Sequence, residues 1–212
     1  VNTNMTLHNL NQILNILIDL KFTLIGPEGL GNIADLITRV KKDNTKGAFV
    51  EAGVWRGGAS IWARALMDHL EIEEPVYVCD SFRGLPKPEW KEDEGDDHYL
   101  SLELGVSLNT VKENFGYFTL KGNVQYVEGF FKDTMPKLET GPISVLRIDA
   151  DMYEATTQVL ENLYDKVAVG GYVIVDDYAL PKAKQAVDDF REKYNIKNPL
   201  IRVNHTIHYW QK

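Results

Sequence analysis

Apolar positions along this chain follow two periods. Leu7, Leu10, Ile13, Leu14, Leu17 and Ile18 recur at helical spacing over residues 6–20, and residues 28–42, entered through Gly26-Pro27, continue that period. From residue 48 onward, short apolar runs take turns with amphipathic stretches. Ala48–Ala52, 76–79, 124–127, Ile143–Ile148 and 172–175 read as buried strands, the last one after a turn at Gly170-Gly171. Residues 59–70, 107–118, 153–166 and 182–194 read as the helices between them. Residues 201–203 and 207–210 close the chain as a hairpin.

Strands that alternate with helices imply a parallel sheet covered on both faces. Five such strands followed by a hairpin predict an α/β, Rossmann-like class I methyltransferase architecture. Its sheet is seven-stranded and mostly parallel, with helices on both faces and a C-terminal antiparallel hairpin. One domain is expected over residues 1–212, with 1–45 as an N-terminal helical cap. The competing architecture is a dinucleotide-binding Rossmann domain, which shares the first half; in either, the ligand belongs beyond the carboxyl ends of the strands.

Composition narrows the partners. The 212 residues carry 31 acidic and 23 basic side chains, a net charge of −8, which disfavours nucleic acid and, more weakly, anionic membrane surfaces. No apolar stretch reaches membrane-spanning length. The first residues lack a signal-peptide layout, and the one cysteine, Cys79, forbids an intrachain disulfide, so a cytoplasmic setting is expected. Cys79 sits in a strand and reads as packed and inert. His205 and His208 read as strand or rim residues. The polar segment 84–98, acidic from Glu89 to Asp97, reads as a solvated loop, with a lid over the substrate as the alternative.

The first strand runs into Glu51-Ala52-Gly53-Val54-Trp55-Arg56-Gly57-Gly58. A dinucleotide site wants a glycine where Trp55 stands, so that the backbone can approach a pyrophosphate. S-adenosylmethionine has no phosphate and carries an ammonium that an acid can hold. Gly53 then allows close backbone approach, and Glu51 serves the polar end of the cofactor. Asp80, ending the second strand, is placed to accept ribose hydroxyls.

The fourth strand ends in Asp149-Ala150-Asp151 and the fifth in Asp176-Asp177. Asp149, Asp176 and Asp177 should meet at one edge of the sheet. With no lysine among them they repel unless a cation lies between them. Hard oxygen ligands suit Mg²⁺ or Ca²⁺. Such an ion would make a hydroxyl more acidic, and Asp151 is the candidate general base; helix capping is the alternative role for Asp151.

Taken together, Glu51–Gly58, Asp80-Ser-Phe-Arg-Gly-Leu-Pro86, Glu128-Gly-Phe-Phe131, Arg147-Ile-Asp-Ala-Asp-Met-Tyr153 and Val175-Asp-Asp-Tyr178 resemble the macrocin (TylF-type) O-methyltransferase family, over roughly residues 22–212. The resemblance implies S-adenosyl-L-methionine and Mg²⁺ as cofactors and a sugar hydroxyl of a small-molecule glycoside or glycan as acceptor. It implies Asp149, Asp176 and Asp177 as metal ligands and Asp151 as catalytic base. Cofactor contacts map to Thr23 and Ile25, to Glu51 and Gly53, to Asp80, Ser81 and Phe82, to Gly129 and Phe130, and to Asp149. It further implies a homodimer or larger homo-oligomer, for which the apolar helix at 6–20 is a candidate interface. The alternatives are catechol-type methylation, a nicotinamide-dependent dehydrogenase, and a non-catalytic S-adenosylmethionine-binding domain.

Overall fold

The computed structural model describes residues 9–212. Helices α1 (Leu10–Asp19) and α2 (Pro27–Lys42) precede an alternating run: β1 (Ala48–Ala52), α3 (Gly58–His69), β2 (Val76–Asp80), α4 (Leu108–Gly116), β3 (Val124–Glu128), α5 (Phe131–Thr134), β4 (Ile143–Ile148), α6 (Tyr153–Leu163), β5 (Val167–Val175), α7 (Pro181–Lys193), β6 (Ile201–Arg202) and β7 (His208–Gln211). The strands form one seven-stranded sheet in the order β3-β2-β1-β4-β5-β7-β6. β1 to β5 pair in parallel, whereas β7 runs antiparallel to β5 and β6 antiparallel to β7. This is the expected class I methyltransferase topology. Strand order reverses between β1 and β4, and ligands of open α/β sheets bind at such a switch point.

Strand side chains alternate between the two faces. Phe49, Val76, Val78, Val145 and Ile174 join a core with α1, α2, α3 and α4. Ala48, Val50, Leu146, Val173 and Val175 face a second core with α6 and α7. Two-sided burial is why these strands read as continuous apolar runs rather than alternating ones.

The N-terminal stripe is used within the domain. Ile13 and Leu17 of α1 are buried, while Ile18 and Leu20 stay exposed. Residues 6–8 of the expected helix lie outside the described residues. α1 starts at a capping box in which Asn9 and Gln12 exchange hydrogen bonds of 2.9 and 3.0 Å.

Two expectations are corrected. Gly170 and Gly171 lie inside β5 and make no turn before it. Ile143 pairs with Val167 but Val145 with Tyr172, so extra residues of β5 bulge opposite β4, with Gly170 at φ 86°. A Cβ at Gly171 would come within 2.8 Å of the Ser144 carbonyl oxygen, so close strand approach needs glycine there.

The second correction concerns one residue of the acidic segment, which is otherwise mostly solvent-exposed as expected. The segment contains a short 3₁₀ turn at Lys91–Asp93, and two more, at His98–Leu100 and Leu102–Leu104, follow it. Asp93 is 0% exposed, and its carboxylate accepts the Tyr153 and Glu154 N–H groups, each at 2.8 Å. Met152, at the α6 N-cap position, makes no side-chain cap bond, so a carboxylate distant in sequence does that work. Glu154, itself buried, accepts in return from the Glu89 and Trp90 N–H groups at 3.3 and 3.2 Å.

No helix among the described residues is long and apolar enough to cross a membrane.

Candidate active site at the carboxyl ends of the strands

The backbone ladder runs one residue past β1, β3, β4 and β5. Gly129 N–H donates to Asp80 O, Gly53 N–H to Cys79 O, Asp149 N–H to Ala52 O and Asp176 N–H to Ile148 O, at 2.8–2.9 Å. These bonds set the glycine turn, Asp80, Asp149 and Asp176 side by side along one rim. Gly53 has φ 89°, and a Cβ there would lie 1.7 Å from the Asp149 carbonyl oxygen. The first turn can touch the end of β4 only with glycine at this position.

Other segments close over the rim. Gly58 N–H donates to Phe22 O at 2.9 Å and Arg56 Nη1 to Lys21 O at 3.2 Å, which stitches the stretch before α2 to the start of α3. That stitch brings Thr23 and Ile25 to the site. From the other side, the Asn204 side chain accepts from Thr206 and Ile207 N–H at 3.0 and 2.8 Å, and Tyr178 N–H donates to Thr206 O at 3.0 Å. The turn between β6 and β7 thereby leans over the end of β5. Trp55 donates from Nε1 to Glu103 O at 3.0 Å and so holds the last 3₁₀ turn against the glycine turn.

Together these elements enclose a cavity of about 340 Å³. Thr23, Ile25, Glu51, Gly53, Asp80, Ser81, Gly129, Phe130, Asp149, Asp151, Asp176 and Asp177 all border it. Of the expected site residues, Phe82 alone does not. Its side chain is 5% exposed in the core on the α1–α4 side, and its contribution is an N–H donated to Asp80 Oδ1 at 2.8 Å. Asp80 Oδ2 accepts from Val54 N–H at 2.8 Å. Ser81 Oγ donates to Oδ1 as well, at 3.4 Å; of the roughly four lone-pair sites of an ionised carboxylate, Asp80 keeps one for a ribose hydroxyl. Burial raises its pKa, against those backbone N–H bonds.

Glu51 is 1% exposed and sits in a network, not as a free acid. Ser60 Oγ donates to its Oε2, and Arg147 Nη1 lies 2.5 Å from its Oε1. The same Nη1 is 2.9 Å from Asp149 Oδ2, and Nη2 is 2.8 Å from Asp176 Oδ1. That last contact is close but off the hydrogen-bond direction, which leaves Nη2 and Asp176 Oδ1 without an aligned partner. Arg147 was not foreseen as part of the site. A readable signal existed: an arginine inside a strand whose six residues are all buried needs carboxylate partners. Asn204, Thr206 and Ile207 were also missed, because no local pattern tells which turn will fold over a rim.

The tight carboxylate group differs by one member from the expected trio. Oxygens of Asp149, Asp151 and Asp177 lie within 4.8 Å of one another, while Asp176 turns toward Arg147. Asp151 N–H donates to Asp177 Oδ2 at 3.1 Å. Asp151 also holds φ 58°, left-handed backbone in a non-glycine residue, as do Trp55 and Phe82 beside the site. Such strain persists where surrounding contacts enforce it, and it clusters at functional sites. Burial, then the negative charge of Asp149, pushes the Asp151 carboxyl up to about 7. Burial, then Asp151, does the same for Asp177. Burial and Asp176 raise Asp149 well above the carboxylate range. Groups that disfavour their own ionisation in this way gain most from a cation between them. The oxygen-only donor set and the unaligned Asp176 oxygen fit a hard divalent ion such as Mg²⁺.

Comparison with known proteins shows the family of the chain. Residues 17–212 match the family described as Macrocin-O-methyltransferase (TylF). Demethyldecarbamoylnovobiocin O-methyltransferase of Streptomyces niveus is 41% identical over 203 residues, 90% of this chain and 75% of that protein. The 8-demethyl-8-(2,3-dimethoxy-alpha-L-rhamnosyl)-tetracenomycin-C 4'-O-methyltransferase of Streptomyces olivaceus is 38% identical over 200 residues, 89% of this chain and 75% of that protein. The structure of the O-methyltransferase NovP superposes with a TM-score of 0.91 at 35% identity, covering 96% of this chain and 97% of that one.

Proposed function

This chain belongs to the TylF family of macrocin O-methyltransferases and is an S-adenosylmethionine-dependent O-methyltransferase; from that premise we propose that it methylates a sugar hydroxyl of a glycosylated small molecule, with Asp149, Asp176 and Asp177 holding a divalent cation and Asp151 acting as general base. The observation that carries the reading is the convergence of Asp149, Asp151 and Asp177 oxygens within 4.8 Å, in the cavity that also reaches Glu51 and Asp80. A similar protein whose name specifies a rhamnosyl acceptor supports the sugar assignment.

In this reading the chain's residues divide the work along the rim. Gly53 and Gly129 let backbone approach the cofactor, Asp80 accepts from one of its ribose hydroxyls, and Thr23 and Ile25 cover it. Held by these residues, S-adenosylmethionine would supply the methyl group to the acceptor oxygen and would leave as S-adenosylhomocysteine. A divalent cation held by Asp149, Asp176 and Asp177 would orient the acceptor hydroxyl and make its proton more acidic. Asp151 takes the hydroxyl proton onto its carboxylate as the new bond forms. Its left-handed backbone and its bond to Asp177 fix where that carboxylate points.

The test is incubation with methyl-labelled S-adenosylmethionine and a panel of deoxysugar glycosides and catechols, with Mg²⁺ or with EDTA. Label on a glycoside, abolished by EDTA and restored by Mg²⁺, is the expected outcome. Label on catechols alone would refute the sugar assignment, and turnover that survives EDTA would refute the metal role.

A further inference from the structure

Among the described residues, six acidic side chains border the cavity (Glu51, Asp80, Asp149, Asp151, Asp176 and Asp177), and Arg147 is the one lysine or arginine in its walls. Arg147 is 2% exposed and bridges three of the six, with nitrogens 2.5 Å from Glu51, 2.9 Å from Asp149 and 2.8 Å from Asp176. Asp149 therefore has one oxygen on the guanidinium while the acid itself belongs to the group with Asp151 and Asp177. Clusters of bridging carboxylates of this kind hold two divalent ions about 4 Å apart in many hydrolytic enzymes. Here a guanidinium, charged at any accessible pH, bridges Glu51, Asp149 and Asp176. It is an imperfect occupant: Nη2 and Asp176 Oδ1 are close without an aligned hydrogen bond, so Asp176 keeps ligand capacity.

We propose that Arg147 is a positioning residue that takes the place of a second cation, so that this carboxylate cluster binds one divalent ion and no more. The inference rests on the metal reading above and adds a count to it. The guanidinium turns Asp149 and Asp176 toward each other through one fork, and its charge repels a second divalent ion. A lysine would keep the charge, whereas a neutral side chain of similar length would vacate the place.

Mn²⁺ bound per folded chain, counted by electron paramagnetic resonance without any acceptor, tests this. Wild type and R147K should each bind one Mn²⁺. R147M should bind two, as should E51Q/R147M, in which the buried pair is removed together so that no Glu51 charge is stranded if R147M alone fails to fold. Circular dichroism and a cooperative thermal transition establish that each variant is folded. A purely structural role for Arg147 would lower stability and the metal count and would never raise it. One ion or none in the folded neutral variants overturns the proposal, as does a second ion in the wild type. If the wild type binds no Mn²⁺, the metal reading itself falls; if it binds one and the neutral variants also bind one, only the role of Arg147 falls.

Discussion

Asp93→Ala is the sharpest test of how the acidic segment is built in. The residue lies in a stretch rich in Asp and Glu, yet it is 0% exposed and its two oxygens accept the first N–H groups of α6 at 2.8 Å each. Losing a cap costs about 1–2 kcal/mol, and hydrogen bonds to a charged group contribute about 1.5–3 kcal/mol each. Water can reach part of the space left by the shorter side chain, so the full sum does not apply. The expected loss is about 3 kcal/mol for Asp93→Ala, within the range for a broken buried network. Asp93→Asn keeps one acceptor, turns an N–H₂ toward the other helix N–H and loses the charge that favours a helix N-terminus; about 2 kcal/mol is expected. For a domain of this size, 3 kcal/mol lowers Tm by about 6–12 °C. Urea denaturation with an unchanged m-value is the assay. If Asp93→Ala stays within about 0.5 kcal/mol of wild type, the behaviour of a surface position, the carboxylate does not hold the helix and the reasoning fails.

Three further outcomes follow from the site. Gly53→Ala would push a Cβ against the Asp149 carbonyl oxygen 1.7 Å away; loss of about 3 kcal/mol or more, together with loss of S-adenosylhomocysteine binding by calorimetry, is expected. Asp151→Asn suits the left-handed backbone, since Asn tolerates it; turnover should fall about 10²- to 10⁴-fold while S-adenosylhomocysteine and Mn²⁺ still bind, and a variant of undiminished rate would remove Asp151 as base. The Cys79 thiol is buried, and burial pushes its pKa up; the native protein at pH 8 should resist a thiol-alkylating reagent that labels it readily in urea, with rapid native labelling the contrary result.

Much of the fold was legible because burial on both faces of a parallel sheet writes itself locally. Ala48–Ala52 and Ile143–Ile148 are apolar enough to be recognised as strands without their neighbours. The acids at the strand ends were legible for a related reason. A polar residue directly after a buried strand must lie at the sheet rim, which made Asp80, Asp149, Asp176 and Asp177 candidates. Gly170-Gly171 misled because glycine marks both turns and bulges, and the choice depends on the register of β4 against β5.

The sequence by itself determined which residues reach the carboxyl edge, since strand length and alternation are local properties of the chain. Only the tertiary structure decided how charges there pair. Arg147 joins Glu51 of β1 to Asp149 and Asp176 beyond β4 and β5, Asp93 caps a helix distant in sequence, and Asp151 rather than Asp176 completes the tight carboxylate group. Periodicity carries no record of such contacts, because Coulomb energy and hydrogen bonding depend on separation in space while the pattern along the chain reports only burial.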